Sequence, residues 1–294
     1  MTFVLLLGSN KRYSPRIDRK VLRPIVLFSF PLLVSGIAGT ANEFIDRQMI
    51  KYLMPAENSL AALGIYGAVL KIGVVMQLFT QMYRLAAEPF FLASFKRAEF
   101  KEANAASMKY FVMASVIIFL GIVLFRDLFA LIVGRSFREG IEILPIVLAA
   151  NVLAGIWFNL SFWYKREEKT KYAAYITFLG LAITVALSFI LVPKMGYRGA
   201  AWVRLIAEAA MVVWSYILCR KHFPIPYDLK RIGEYFALGA AIYAISASAL
   251  MGMSYGLHMA TNVALFMVAI CYAVWREKID INGLLKAVIG KFRR

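Results

Sequence analysis

Long apolar runs separated by short polar connections recur eight times along the chain, at about 24–50, 60–83, 107–126, 143–164, 172–193, 199–219, 233–253 and 257–275. Each run approaches the ~20 residues that cross about 30 Å of hydrocarbon as a helix. The pattern predicts an all-α polytopic membrane protein of about eight transmembrane helices. The connection 127–142, DLFALIVGRSFREGIE, is long enough for a short helix lying in the interface. In the tail 276–294, apolar positions (Ile279, Ile281, Leu284, Leu285, Val288, Ile289) interleave with basic ones, which suits a helix lying on a membrane surface.

The polar positions inside the runs carry the functional information. A charge at mid-helix costs about 2.5–3.5 kcal/mol on the insertion scale, so each one needs a partner or water. On the first run Ser35, Gly39, Asn42 and Asp46 share one narrow helical stripe, with Glu43 and Arg47 beside it and Ile37, Ala41, Phe44 and Ile45 opposite. Such a stripe lines either a cavity or a helix–helix seam. Counting ~20 residues from Pro24 places Asp46 and Arg47 at the outer interface, where an ion-pair anchor competes with a cavity role. Lys71 lies about eleven residues into the second run and is the deepest basic residue. Its stem reaches only about one helical turn, so it is expected to face water or a partner. Below it Gln77, Gln81, Arg84 and Glu88 form a stripe, with Arg84 and Glu88 spaced to pair before Pro89 disturbs the helix. Arg204 and Glu208 are a second i,i+4 pair. Asn151 and Asn159, with Gly155 between them, suit tight packing or interhelical hydrogen bonds.

Composition agrees with the membrane reading: 61% hydrophobic, 17% charged, mean hydropathy +0.68. Of the 34 Lys and Arg, 24 fall on one side of the eight spans and 6 on the other, with Arg47, Lys71, Arg84 and Arg204 inside the spans. The positive-inside rule then makes both termini cytoplasmic. The net charge of +17 is mainly a topology signal and an attraction to anionic inner-leaflet lipids, not a nucleic-acid surface. Cys219 and Cys271 lack metal or redox spacing, only two His are present, and no phosphate-binding loop or nucleophile motif occurs. No catalytic residue, metal or cofactor is expected, and the chain is not expected to be an enzyme. The opening MTFVLLLGSN lacks the features of a signal peptide and reads as the end of a preceding helix. The remaining outline is that of a transporter for a polar and anionic substrate.

The segments NEFIDRQMIKYLMP, LGIYGAVLKIGVVMQLFTQMYRLAAEPFF, ILPIVLAANVLAGIWFNLSFWYK, KTKYAAYI, LVPKMGYRGAAW and FPIPYDLKR occur in that order. Together they resemble the C-terminal part of bacterial polysaccharide-biosynthesis flippases, the Wzx-like branch of the multidrug/oligosaccharidyl-lipid/polysaccharide (MOP) exporter superfamily. The resemblance implies the second lobe of a two-lobed flippase plus two additional helices. On that basis 1–23 is a cytoplasmic basic segment with a remnant of a preceding helix, and 24–219 a six-helix lobe. Residues 220–275 would be two additional helices and 276–294 a cytoplasmic amphipathic basic tail. The implied activity is the flipping of undecaprenyl-diphosphate-linked oligosaccharide from the cytoplasmic to the periplasmic leaflet of the bacterial inner membrane, in lipopolysaccharide or polysaccharide biosynthesis. With the first lobe absent, a separate first-lobe chain or a second copy would complete the cavity. Its candidate lining is Asn42, Glu43, Asp46, Arg47, Lys71, Gln77, Gln81 and Arg84. Basic groups there would attract diphosphate, and amides would contact sugar. Glu88, Arg204 and Glu208 are ion-coupling or gate candidates. The alternatives are a multidrug or small-solute antiporter of the same superfamily and a non-transporting fragment or structural subunit.

Overall fold

The computed structural model describes residues 19–249 and 255–278. Helices make up most of these residues, and no strand occurs among them. Helix α1 (Arg19–Leu53) turns at Pro55 into α2 (Ala56–Ser94), and α3 (Phe100–Leu124) follows. A short α4 (Arg126–Ile132) and a 3-10 segment (Arg135–Ile143) occupy the connection expected to hold an interfacial helix. Then come α5 (Leu144–Leu160), the single turn α6 (Phe162–Arg166), α7 (Lys171–Met195) and α8 (Tyr197–His222). After the FPIPYD loop, α9 (Leu229–Ala244) continues into a π-helical segment (Ile245–Ala249), and α10 (Tyr255–Glu277) closes the described chain.

Among the described residues, seven helices are long and apolar enough to cross a membrane. The chain is a multi-pass membrane protein. The eighth expected span, 233–253, corresponds to α9 and the π segment. Alone, α9 has 16 residues, a rise of about 24 Å, and 250–254 lie outside the described residues. The predicted N-terminal remnant and nearly all of the amphipathic tail also lie outside them.

Local chemistry sets the breaks. Proline at 224 and 226 denies the backbone donors that would let α8 run into α9, and Asp228 then caps α9 by accepting from Arg231 N at 3.0 Å. Between α7 and α8, Gly196 adopts φ +59°, ψ −135°, and its amide donates to Val192 O at 2.8 Å. A side chain is strained in that conformation, so glycine permits the tight reversal.

Packing runs as a chain of neighbours. The α1 helix lies mainly on α7, α7 on α8, α8 on α5, and α5 on both α2 and α3. The last two helices, α9 and α10, attach to α3 at the far edge from α1. Two buried clusters fill this arrangement. One holds Tyr66, Met76, Val112, Leu120, Leu144 and Leu148 between α2, α3 and α5. The other is an aromatic knot, Phe91, Phe100, Phe162, Trp163 and Phe223, at the end that carries the basic connections, called the basic end below. Leu27, Phe30, Leu33 and Ile37 on α1 and Phe178, Phe189, Trp214 and Ile217 on α7 and α8 point outward, as lipid-facing side chains do.

Candidate functional site: a polar cleft on one face of the bundle

A cleft of about 810 Å³ runs along α1 from Phe28 to Glu43 and is walled by α2, α5, α7 and α8. Fifteen residues of rise make it about 22 Å long. Its floor begins with the α1–α7 seam. Ser35 and Thr177 hydroxyls meet at 2.8 Å, and a Cβ at Gly39 would be 3.7 Å from the Thr177 methyl. The small residues of the α1 stripe therefore let α7 approach, and the stripe is a seam at Ser35 and Gly39 before becoming a cleft wall at Asn42.

Eight of the expected residues converge here. From α1 come Asn42 and Glu43; from α2, Gln77, Gln81, Arg84 and Glu88; from α8, Arg204 and Glu208. Three helices distant in sequence thus present their in-span polar groups to one space. The sequence stripes did not single out Trp157, Ser161, Tyr164 and Lys165, which α5 and α6 add to the lining. Their only signal was position, at the basic end of the fourth apolar run. The lining mixes amides, hydroxyls, aromatic faces and charges of both signs, with apolar Phe28, Leu32, Val74 and Leu78 at the rim.

The ion pairs differ from those the spacing suggests. Glu88 pairs with Lys165 across the α2–α6 gap at 2.6 Å, not with Arg84 on its own helix. Arg84 instead lies over the Phe158 ring, 4.8 Å from its centroid, and forms no ion pair among the described residues. Arg204 reaches to Asp46 of α1 at 3.6 Å rather than to Glu208. In both cases an opposite charge on another helix was taken in place of the helical i,i+4 neighbour, information that spacing within one helix lacks.

Asp46 is placed very differently from an interfacial anchor. It is 2% exposed, accepts from the fully buried Tyr66 hydroxyl at 3.1 Å, and faces Arg204. Its sequence neighbour Arg47 is exposed and rests over the Phe44 ring. Successive positions on a helix lie about 100° apart, so residue counting gave their depth but not their direction. Arg204 also donates to Asn151 Oδ1 at 3.4 Å, and Asn151 donates to Gly73 O at 3.4 Å. A Cβ at Gly73 would press on that amide at 3.4 Å. The network Tyr66–Asp46–Arg204–Asn151 ties α2, α1, α8 and α5 together where the cleft lining ends. Lys71 is exposed on α2, one turn beyond Val74, and does not line the cleft.

Several buried polar atoms of the lining have no hydrogen-bond partner among the described residues: Asn42 Oδ1, Thr80 Oγ1, Trp157 Nε1, Ser161 Oγ, Arg204 Nε and Glu208 Oε2. Polar atoms in such positions are ordinarily satisfied by water or ligand. Away from the cleft, Asn159 donates to Tyr83, whose hydroxyl also meets Ser107 at 2.8 Å, the interhelical bonding expected of Asn159. Among the described residues no His, Cys, Asp and Glu group is arranged to hold a metal ion.

No family model matches the chain. It is 27% identical over 219 residues to a protein of Photorhabdus laumondii subsp. laumondii named "Probable multidrug resistance protein NorM", covering 69% of this chain and 46% of the relative. The chain thus spans less than half the length of the curated relative it matches. Its fold matches a solved MOP superfamily transporter from Pyrococcus furiosus, whose reverse-polarity binding pocket suggests a different function. That superposition has a TM-score of 0.50 at 17% identity and covers 90% of this chain and 67% of the other. By sequence the chain is similar to a protein named for multidrug resistance, and by fold to a MOP superfamily transporter; neither likeness singles out the polysaccharide branch.

Proposed function

We propose that this chain forms one wall of the translocation pathway of a membrane exporter. Its cargo on this reading is an undecaprenyl-diphosphate-linked oligosaccharide, moved from the cytoplasmic to the periplasmic leaflet of a bacterial inner membrane. The observation that carries it is the cleft: a 22 Å polar track bounded by apolar rims, with an Arg84 guanidinium that no carboxylate of the described residues neutralises. A phosphate accepts from such a fork, while the amides of Asn42, Gln77 and Gln81 and the rings of Trp157 and Tyr164 suit sugar. The apolar rim suits the polyprenyl tail. Both termini face the cytoplasm on this reading, anionic lipids hold the basic end, and a first-lobe chain or a second copy covers the cleft. The protein acts by moving cargo, not by covalent chemistry.

A second reading, extrusion of organic cations, is favoured by the similarity to the NorM relative and by Glu43 and Glu208, which form no ion pair among the described residues. Arg84→Ala separates the two. Losing one charge-assisted hydrogen bond to phosphate is worth about 1.5–3 kcal/mol, or roughly 10- to 150-fold in export rate. In cells with the native locus, the variant is expected to accumulate lipid-linked glycan on the inner leaflet at unchanged protein level. Normal glycan export together with raised sensitivity to cationic drugs would establish the second reading instead.

A further inference from the structure

We propose that Arg204 is a latch that passes between Asp46 and Glu208, and that the Asp46-bound position holds shut the end of the cleft opposite the basic end. The proposal rests on the transport reading but concerns only side chains of this chain. Arg204 stands between two carboxylates and is docked on one. Asp46 holds it at 3.6 Å, at the long end of an ion pair, assisted by Asn151 at 3.4 Å. Glu208 sits one helical turn along α8 toward the basic end, on the same face, and its Oε2 is buried without a hydrogen-bond partner. The Arg204 Nε is likewise buried and unpartnered, so one edge of the guanidinium is already free of the Asp46 assembly. Side chains four apart on a helix lie about 5–6 Å from each other, a distance that an arginine covers by rotation alone.

The two positions differ in what they join. Docked on Asp46, Arg204 ties α8 to α1, with Tyr66 of α2 on the same carboxylate and Asn151 of α5 on the same guanidinium. Docked on Glu208, it bonds only within α8 and frees α8 from α1 and α5, while Tyr66 still holds Asp46 and Asn151 still holds Gly73 O. Among the described residues the charged groups acting on Glu208 are Arg204, Asp46 and Glu43, and Arg204 is the cation of that set. The exchange moves the guanidinium from carboxylate to carboxylate, so no unpaired cation is left in hydrocarbon during opening, the condition that makes such a charge tolerable at this depth. Spacing along α8 alone shows one half of this switch and the folded chain shows the other.

The test is sided cysteine labelling in membranes containing the whole chain. With Cys219 and Cys271 replaced by alanine, Thr40→Cys in the cleft wall is treated with a membrane-impermeant maleimide from either side. Asp46→Asn, which keeps the shape and the Tyr66 acceptor, is expected to raise labelling from the side opposite the basic end at least threefold. Glu208→Gln is expected to lower it below the parent level, because Arg204 then has only Asp46 to dock on. If Asp46→Asn fails to accumulate, Glu208→Gln decides: an unchanged ratio between the sides overturns the latch. Two variants that shift the ratio in the same direction also overturn it. Glycan export is scored in the same cells. Intact export with unaltered sidedness refutes the latch and leaves the transport reading standing; opposite shifts without export of any cargo do the reverse.

Discussion

Replacing Gly155 by alanine probes the contact that places the α5 wall of the cleft. A Cβ at that position would stand 2.1 Å from Cζ, 2.7 Å from Cε1 and 3.1 Å from Cε2 of Phe111 on α3. Ordinary carbon contacts are about 3.5–4.0 Å, so the ring must retreat by roughly 1.5 Å. It has little room to do so. Phe111 stacks on Phe79 with centroids 5.6 Å apart and leans on Tyr83 at 4.6 Å, and the Tyr83 hydroxyl is tied to Ser107 and Asn159. Overpacking of this kind costs ~1–3 kcal/mol. The better helix propensity of alanine returns up to ~1 kcal/mol, leaving a net loss of up to about 2 kcal/mol when that return is full. The assay is reversible unfolding in a detergent–denaturant titration, run for Gly155→Ala, Phe111→Leu and the double variant. Shortening the ring should make room for the new methyl, so the double variant is expected to be more stable than the sum of the single losses by about 1 kcal/mol. Strict additivity in the double variant would refute the claim that this close approach fixes α5.

Two further outcomes follow from the same geometry. Glu277, whose side chain is 3% exposed, accepts from Tyr235 at 2.8 Å and Arg231 at 3.1 Å and also pairs with Lys109. Glu277→Ala should therefore cost ~1.5–3 kcal/mol and speed proteolysis of the α8–α9 loop while cleft labelling stays unchanged; equal loosening of both regions would contradict the separate attachment of α9 and α10 to α3. Gly196→Ala forces a side chain into a conformation that only glycine adopts freely and should lower stability by ~1–3 kcal/mol, read in the same titration; a neutral effect would show that the α7–α8 reversal relaxes without cost.

Much of the fold was legible in one dimension. The helices and their approximate limits follow from apolar runs, because a chain in hydrocarbon must satisfy its backbone within each helix, whereas the parts played by Pro55, Gly196, Pro224 and Pro226 at the breaks showed in the folded chain. The lipid-facing surface was equally readable, since side chains with no polar obligation point outward. The membership of the cleft was partly readable as well. Asn42, Glu43, Gln77, Gln81, Arg84, Glu88, Arg204 and Glu208 stood out because polar groups inside a span need a reason, and the structure gathers them in one space. Lys71 stood out for the same reason but lies outside the lining.

What the sequence alone determined, then, was which residues require partners; which partners they take was decided by tertiary structure. Helical spacing ranks neighbours within one helix, at about 5–6 Å, yet a facing helix can bring an opposite charge closer still. Glu88 accordingly took Lys165, and Arg204 took Asp46. Asp46 shows the point most plainly. Its depth was countable from Pro24, but whether it faced solvent, lipid or the bundle depended on where α2 and α8 came to lie around α1. Only their packing decided what counting had left open between an interfacial anchor and a cavity wall, and made Asp46 the buried acceptor that Tyr66 and Arg204 share.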